Sequence, residues 1–319
     1  MPIVDMSLDK LRVYQGRNPR PADFDEFWHR SLAEMNAIDP QAEFTPYSYS
    51  SKIADCFELR FHSTKGAIVY AKFVRPKAID GKIPAVLHFH GLSGCSTSWQ
   101  SMLSYASQGF CIASLDCRGQ GGISQDVGGQ AGTTFSTPFS RGLDGAPEEL
   151  LCRDLFLDTA MLARIVMSLD YVDENRVGVY GGSQGGALSI ACAALVPSIK
   201  LCAPTYPYLS DYKRVWEMDL AKGAYEGLRY YFRNCDPRHE YEDEIFEKLG
   251  YIDIQHLAPR IRAKVLMGTG LMDTTCPPST QFAAYNKITS EKEVVIYPDF
   301  GHENLKGHDD IVFHFMSQL

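Results

Sequence analysis

The sequence predicts an α/β fold in which a mostly parallel central sheet is flanked by helices. Three observations predict it. From Ile83 onward, short apolar runs alternate with longer stretches of helical periodicity, and that alternation implies parallel strands joined by helical crossovers. The run Val177, Val179, Tyr180 leads into Gly181-Gly182-Ser183-Gln184-Gly185 and then the small apolar stretch Ala187 to Leu195. This is the pattern of a strand turning sharply into a helix at a serine. Later, Asp273 and His302 each closely follow a further apolar run.

The elements can be justified in order. Ala22 to Met35 carries Phe24, Phe27, Trp28, Leu32 and Met35 at helical spacing, the packing face of a helix capped by nearby acids. Two or three strands follow between Phe44 and Val74, with alternation clearest from Cys56 to Phe61, and Gly66 and Asp80-Gly81 supply turns. Residues 1–82 are thus an N-terminal helix and strands. Next come a strand at Ala85 to Phe89, a helix at Trp99 to Ser107 and a strand at Phe110 to Leu115. A long helix at Glu148 to Leu169 has Leu151, Leu155, Leu162 and Ile165 on one side. After the serine corner, strands are predicted at Leu201 to Ala203, Lys264 to Gly268 and Glu293 to Tyr297.

Two segments interrupt the alternation. Residues 117–147 are rich in Gly, Ser and Thr without periodicity. A loop that long inside a compact domain is uncommon, so it reads as functional or as an interface arm. Residues 207–260 hold helical stretches rich in Tyr, Glu and Arg, either a cap over the active site or a mixed helical surface. Together these parts read as one domain over residues 1–319.

A net charge of -8 argues against a nucleic-acid or anionic-membrane partner. No apolar run is long enough to span a bilayer, and residues 1–20 lack the apolar core of a signal peptide, so a cytoplasmic location is expected. The 9 cysteines are odd in number and show no Cys-x-x-Cys spacing, which suggests neither a disulfide framework nor a zinc site. Cys111, Cys192 and Cys202 sit in apolar runs and read as small core residues.

At the serine corner, Gly181 and Gly185 clear space that side chains would fill, leaving Ser183 exposed on a strained turn. A serine hydroxyl needs a base to become nucleophilic, and this architecture orders the partners as Ser, acid, His on successive strand-end loops. His302 directly follows a strand and a glycine, whereas His314 belongs to a terminal amphipathic helix. Asp273 follows its own strand. Asp299 is a rival acid on the loop that carries His302. The oxyanion of an acyl intermediate needs fixed donors, and the backbone N–H groups of Gln184 and Leu92 are the candidates. His88 and His90 share one face of a strand but have no third ligand of matching spacing, so a structural role is read for them and no metal or organic cofactor is called for.

With these residues in place, the chain resembles carbohydrate esterase family seven, the acetyl xylan esterases and cephalosporin C deacetylases. Arg118-Gly119-Gln120, Gly181-Gly182-Ser183-Gln184-Gly185 and His302-Glu303 match its three signatures. Gly270 to Asp273 with Cys276 to Thr280, and Tyr206 to Ser210, are similar as well. The resemblance implies an α/β-hydrolase fold, Ser183, Asp273 and His302 as the catalytic triad, and removal of acetyl groups from small acetylated sugars and often cephalosporins. It also implies a ring-shaped homo-hexamer. The family commonly has tyrosine after His-Gly, where this chain has Leu92. A backbone donor survives that change, but an aromatic wall is lost. Arg118, Gln120 and Glu303 are read as structural support, with Arg118 and Glu303 expected to form an ion pair or share a partner that anchors the histidine loop. A general carboxylesterase or peptidase of the same fold is the rival reading, and a catalytically dead scaffold is a second.

Overall fold

The computed structural model describes residues 4–128 and 137–319, so the middle of the predicted arm, residues 129–136, lies outside the described residues. Among the described residues, nine strands form one sheet: β1 (Glu43–Pro46), β2 (Ala54–His62), β3 (Ile68–Pro76), β4 (Ile83–Phe89), β5 (Cys111–Leu115), β6 (Val172–Gly182), β7 (Leu201–Thr205), β8 (Lys264–Gly270) and β9 (Lys292–Tyr297). The helices are α1 (Leu8–Leu11), α2 (Phe24–Asn36), α3 (Trp99–Ala106), α4 (Leu151–Met167), α5 (Gln184–Leu195) and α6 (Tyr212–Glu217). They continue as α7 (Glu226–Cys235), α8 (Glu242–Gly250), α9 (Ile254–Leu257), α10 (Pro278–Lys287) and α11 (His308–Met316).

The sheet order is β1-β2-β3-β5-β4-β6-β7-β8-β9. Pairings from β1 through β3 to β5 are antiparallel, and every pairing from β5 across to β9 is parallel. The central strands are apolar on both faces because both are covered. Ala85, Leu87 and Phe89 of β4 join the core under α4 and α5, while Val86 points into the core beneath α3 and α11. Leu201, Cys202 and Ala203 of β7 alternate between the same two cores, as strand geometry requires. Helix α5 is buried along its whole length, which explains a sequence apolar on all sides.

One local expectation is corrected. Asp23 precedes α2 but makes no side-chain cap; its carboxylate accepts the Tyr251 hydroxyl instead, tying α2 to the segment after α8. The described ends of the 117–147 segment are also anchored within their own chain. Phe139 is fully buried against Tyr208, Tyr212 and Tyr225, and the Gln125 N–H donates to the Ile68 carbonyl.

Candidate active site

The site is built where parallel strands end. β6 runs into α5 through Ser183, whose backbone is at φ 56°, ψ -118°, a strained conformation for a residue with a side chain. The crossing is so tight that a Cβ on Gly185 would lie 1.9 Å from the Phe89 carbonyl oxygen, and one on Gly181 would lie 2.4 Å from the same oxygen. The Ser183 N–H donates to Thr205 O at 2.9 Å and its carbonyl accepts from the Tyr208 N–H at 3.0 Å, so backbone bonds to the end of β7 and the segment after it hold the turn.

His302, after β9, stands 3.0 Å from the Ser183 Oγ through Nε2 and 2.8 Å from Asp273 Oδ2 through Nδ1. Asp273, after β8, is completely buried. Its Oδ1 accepts the Thr275 and Cys276 N–H groups, each at 2.8 Å, and its Oδ2 also accepts Gln281 Nε2 at 3.3 Å. With three other donors already on this carboxylate, it serves His302 as an acceptor, so the hydrogen between them belongs to Nδ1. Nε2 is then left as an acceptor for the Ser183 hydroxyl. Asp299, the rival acid, is exposed on the β9 loop, and the His302 imidazole is already taken by Asp273. The Tyr206 ring packs on His302 at 4.7 Å between centroids and fixes its tilt.

Among the described residues, the backbone N–H groups of Leu92 and Gln184 donate to no carbonyl. Gln184 opens α5, where the helix dipole favours negative charge. The β4 loop reaches the corner closely, since a Cβ on Gly91 would stand 4.0 Å from the Ser183 Cβ. The Gln120 side chain joins the β4 loop to the start of α5. Its Oε1 accepts the Ser93 N–H at 2.8 Å, and its amide exchanges bonds of 3.0 and 3.1 Å with the Gln184 amide. Ser93 is itself at φ 61°. A cavity of about 520 Å³ lies beside Leu92, Ser93 and Gln120.

Arg118 and Glu303 do not meet. Arg118 is buried and clamps Asp158 of α4 with two bonds of 2.6 Å, and it also donates to Thr64 O and Oγ1 at 3.0 Å each. Glu303 is exposed and accepts the Gly301 N–H at 3.0 Å. The expected pairing fails because Arg118 points into the molecule, where a carboxylate at the same depth satisfies it, while Glu303 faces out. Asp158 was missed by the sequence reading. Its signal is Asp154 and Asp158 at i, i+4 within an otherwise apolar helix.

His88 and His90 are held by hydrogen bonds within the fold. The His90 Nε2 accepts the Cys117 N–H at 2.9 Å, so Nδ1 carries the hydrogen and donates to Gly91 O at 2.7 Å. The His88 Nδ1 lies 2.8 Å from the Ser114 Oγ, and burial, then the neighbouring His90, pulls its pKa down to about 4. Asp273, Cys276 and His302 do offer ligand atoms within 4.8 Å of one another. Asp273 and His302 are committed to the hydrogen bonds above, however. Burial first, and then the Asp273 charge, pushes the Cys276 thiol well above its usual pKa, which opposes the thiolate a metal would need. The set suits proton transfer better than metal binding.

The parallel sheet with a strained serine between β6 and α5 defines an α/β-hydrolase. More narrowly, the chain belongs to the acetyl xylan esterase family, whose model, Acetyl xylan esterase (AXE1), matches residues 1–319. It is similar to Acetyl Xylan Esterase 1 from Thermoanaerobacterium sp. JW/SL YS485, at 52% identity and a TM-score of 0.97, covering 98% of this chain and 99% of that one. The acetyl xylan esterase from Paenibacillus sp. R4 is 33% identical with a TM-score of 0.93, covering 98% and 99%. Acetyl esterase Axe7A of Xylanibacter ruminicola is 29% identical over 92% of this chain, which spans 66% of that relative's length.

Proposed function

We propose that the chain is a serine esterase that removes acetyl groups from small acetylated carbohydrates, short xylo-oligosaccharides first among them. The observation that carries this reading is the relay Asp273–His302–Ser183, with contacts of 2.8 and 3.0 Å ending on a strained serine. In the reaction, the Ser183 Oγ attacks the acetyl carbonyl carbon as His302 Nε2 takes its proton. Asp273 holds the imidazole tautomer and stabilises the cation that forms. The carbonyl oxygen, now negative, is held by the N–H groups of Gln184 and Leu92, and each such donor is worth roughly 10²–10³ in rate. The intermediate collapses with His302 returning the proton to the departing sugar hydroxyl. Water, deprotonated by the same imidazole, then attacks the acetyl-serine and releases acetate.

Membership of the acetyl xylan esterase family supports the substrate class. The resemblance extends the proposal to cephalosporin C, to a homo-hexamer and to a cytoplasmic location. The test compares wild-type rates on acetylated xylo-oligosaccharides, cephalosporin C, long-chain esters and peptide amides. Preference for acetylated sugars supports the reading, and faster turnover of long-chain esters or amides overturns it in favour of a general carboxylesterase or peptidase.

A further inference from the structure

A second cavity, of about 650 Å³, lies at the C-terminal ends of β4, β6 and β7, between the start of α3 and the start of α11. Ser183 and His302 are not in its wall, but their immediate neighbours are: Gly181 and Gly182 before the serine, Asn304 and Leu305 after the histidine. Tyr206 is common to both places, lining the cavity and packing on the His302 ring. A sharp strand-to-helix turn needs small residues on either side of the serine two positions away. It does not need glycine at 182. Here a Cβ on Gly182 would come 3.3 Å from the Tyr206 ring, so the missing side chain lets the tyrosine lie against the serine corner.

The chemistry of the wall is selective. Tyr105, Tyr180, Tyr206 and Phe313 present ring faces and edges, and Ser104 and Asp309 stand at its exposed side. No lysine or arginine is among the described residues that line it. His88, also in the wall, is kept neutral by burial, and burial holds the hydroxyls of Tyr105, Tyr180 and Tyr206 protonated. Anions therefore meet Asp309 and Asp310 with no compensating cation. A neutral ring bearing many hydroxyls meets aromatic surface for its C–H faces and donors and acceptors for its edges. The volume lies within the range of small-molecule sites, roughly 300–1,000 Å³.

We propose that this cavity is a sugar-binding subsite, holding the neutral carbohydrate part of the substrate while its acetyl ester lies at Ser183. The proposal rests on the esterase reading only for the identity of the group that Ser183 attacks. Two variants test it: Ser104→Trp, which fills the cavity from its exposed side, and Asp309→Asn, which removes an acceptor without adding bulk. For each, kcat/KM is measured on acetylated xylotriose and on p-nitrophenyl acetate, which has no sugar. Calorimetry then measures binding of plain xylotriose to Ser183→Ala protein, with and without each change. The ratio of the two kcat/KM values should fall about tenfold in Ser104→Trp and a few-fold in Asp309→Asn, mostly through KM, the size of a lost hydrogen bond or two. Xylotriose binding should weaken in parallel. An unchanged ratio with unchanged xylotriose affinity overturns the proposal, even if one variant folds poorly, because the other still reports. If the wild type cleaves p-nitrophenyl acetate but no acetylated sugar, the substrate reading fails, and the xylotriose titration still decides the cavity.

Discussion

Replacing Arg118 by methionine should destabilise the protein severely, and the size of the effect can be worked from its surroundings. Arg118 and Asp158 are each 1% exposed and joined by two bonds of 2.6 Å. Asp158 also accepts the Ser63 hydroxyl at 2.5 Å, so the carboxylate has been stripped of water and given protein donors in its place. Removing the guanidinium leaves a buried carboxylate with Asp154 of the same helix nearby, and breaking such a pair costs roughly 3–5 kcal/mol. The Asp158→Leu partner variant should cost a similar amount, because it leaves the cation alone. The double variant Arg118→Met/Asp158→Leu should recover much of the loss, since no charge is then stranded. Urea unfolding of all four proteins gives the coupling energy directly. Single variants that each cost less than about 1 kcal/mol and add without coupling would refute the view that this pair is buried and mutually dependent.

The other predictions are smaller in scope. Gln120→Ala should lower kcat by roughly tenfold with little change in KM, a fraction of the roughly 10²–10³ lost with an oxyanion donor; an unchanged kcat would remove Gln120 from any role in holding the Leu92 and Gln184 segments. The buried Asp253 carboxyl is pushed from 3.8 up to about 7, first by burial and then by the Asp211 charge. A raised folded pKa means the native state holds a proton the unfolded chain has released, so stability should fall as pH rises from about 4 through about 7. Asp253→Asn, which can still cap α9, should flatten that decline in denaturation midpoints, and an identical slope in both proteins would contradict it. Light scattering at micromolar concentration should give a hexamer mass, and intact acetylxylan should be deacetylated much more slowly per acetyl group than its short fragments. A monomer, or equal rates, would remove the basis for size selection.

The parts of this protein that were legible in the sequence are those set by local sterics and by chain order. Gly181 and Gly185 are demanded by the approach of the Phe89 carbonyl, and a five-residue pattern is enough to announce that. The central parallel strands could be read because they are largely apolar on both faces, with helices between them. The partner of Arg118 could not, because Asp158 is 40 residues away on a helix whose apolar stripe dominated its pattern. Glu303 sits beside His302 in sequence, and adjacency suggested a role that its outward-facing side chain does not take. Tyr206 stood in a matched motif without a function, since only the folded chain brings its ring against both His302 and the second cavity.

The most direct test of the central claim is inactivation by a serine-directed phosphonate ester followed by peptide mapping. The proposed mechanism predicts one phosphonyl group per chain, on Ser183, with acetylesterase activity lost in proportion and no label on Ser183→Ala protein. Label on a different residue accompanying the loss, or full activity in a chain already labelled at Ser183, would contradict it.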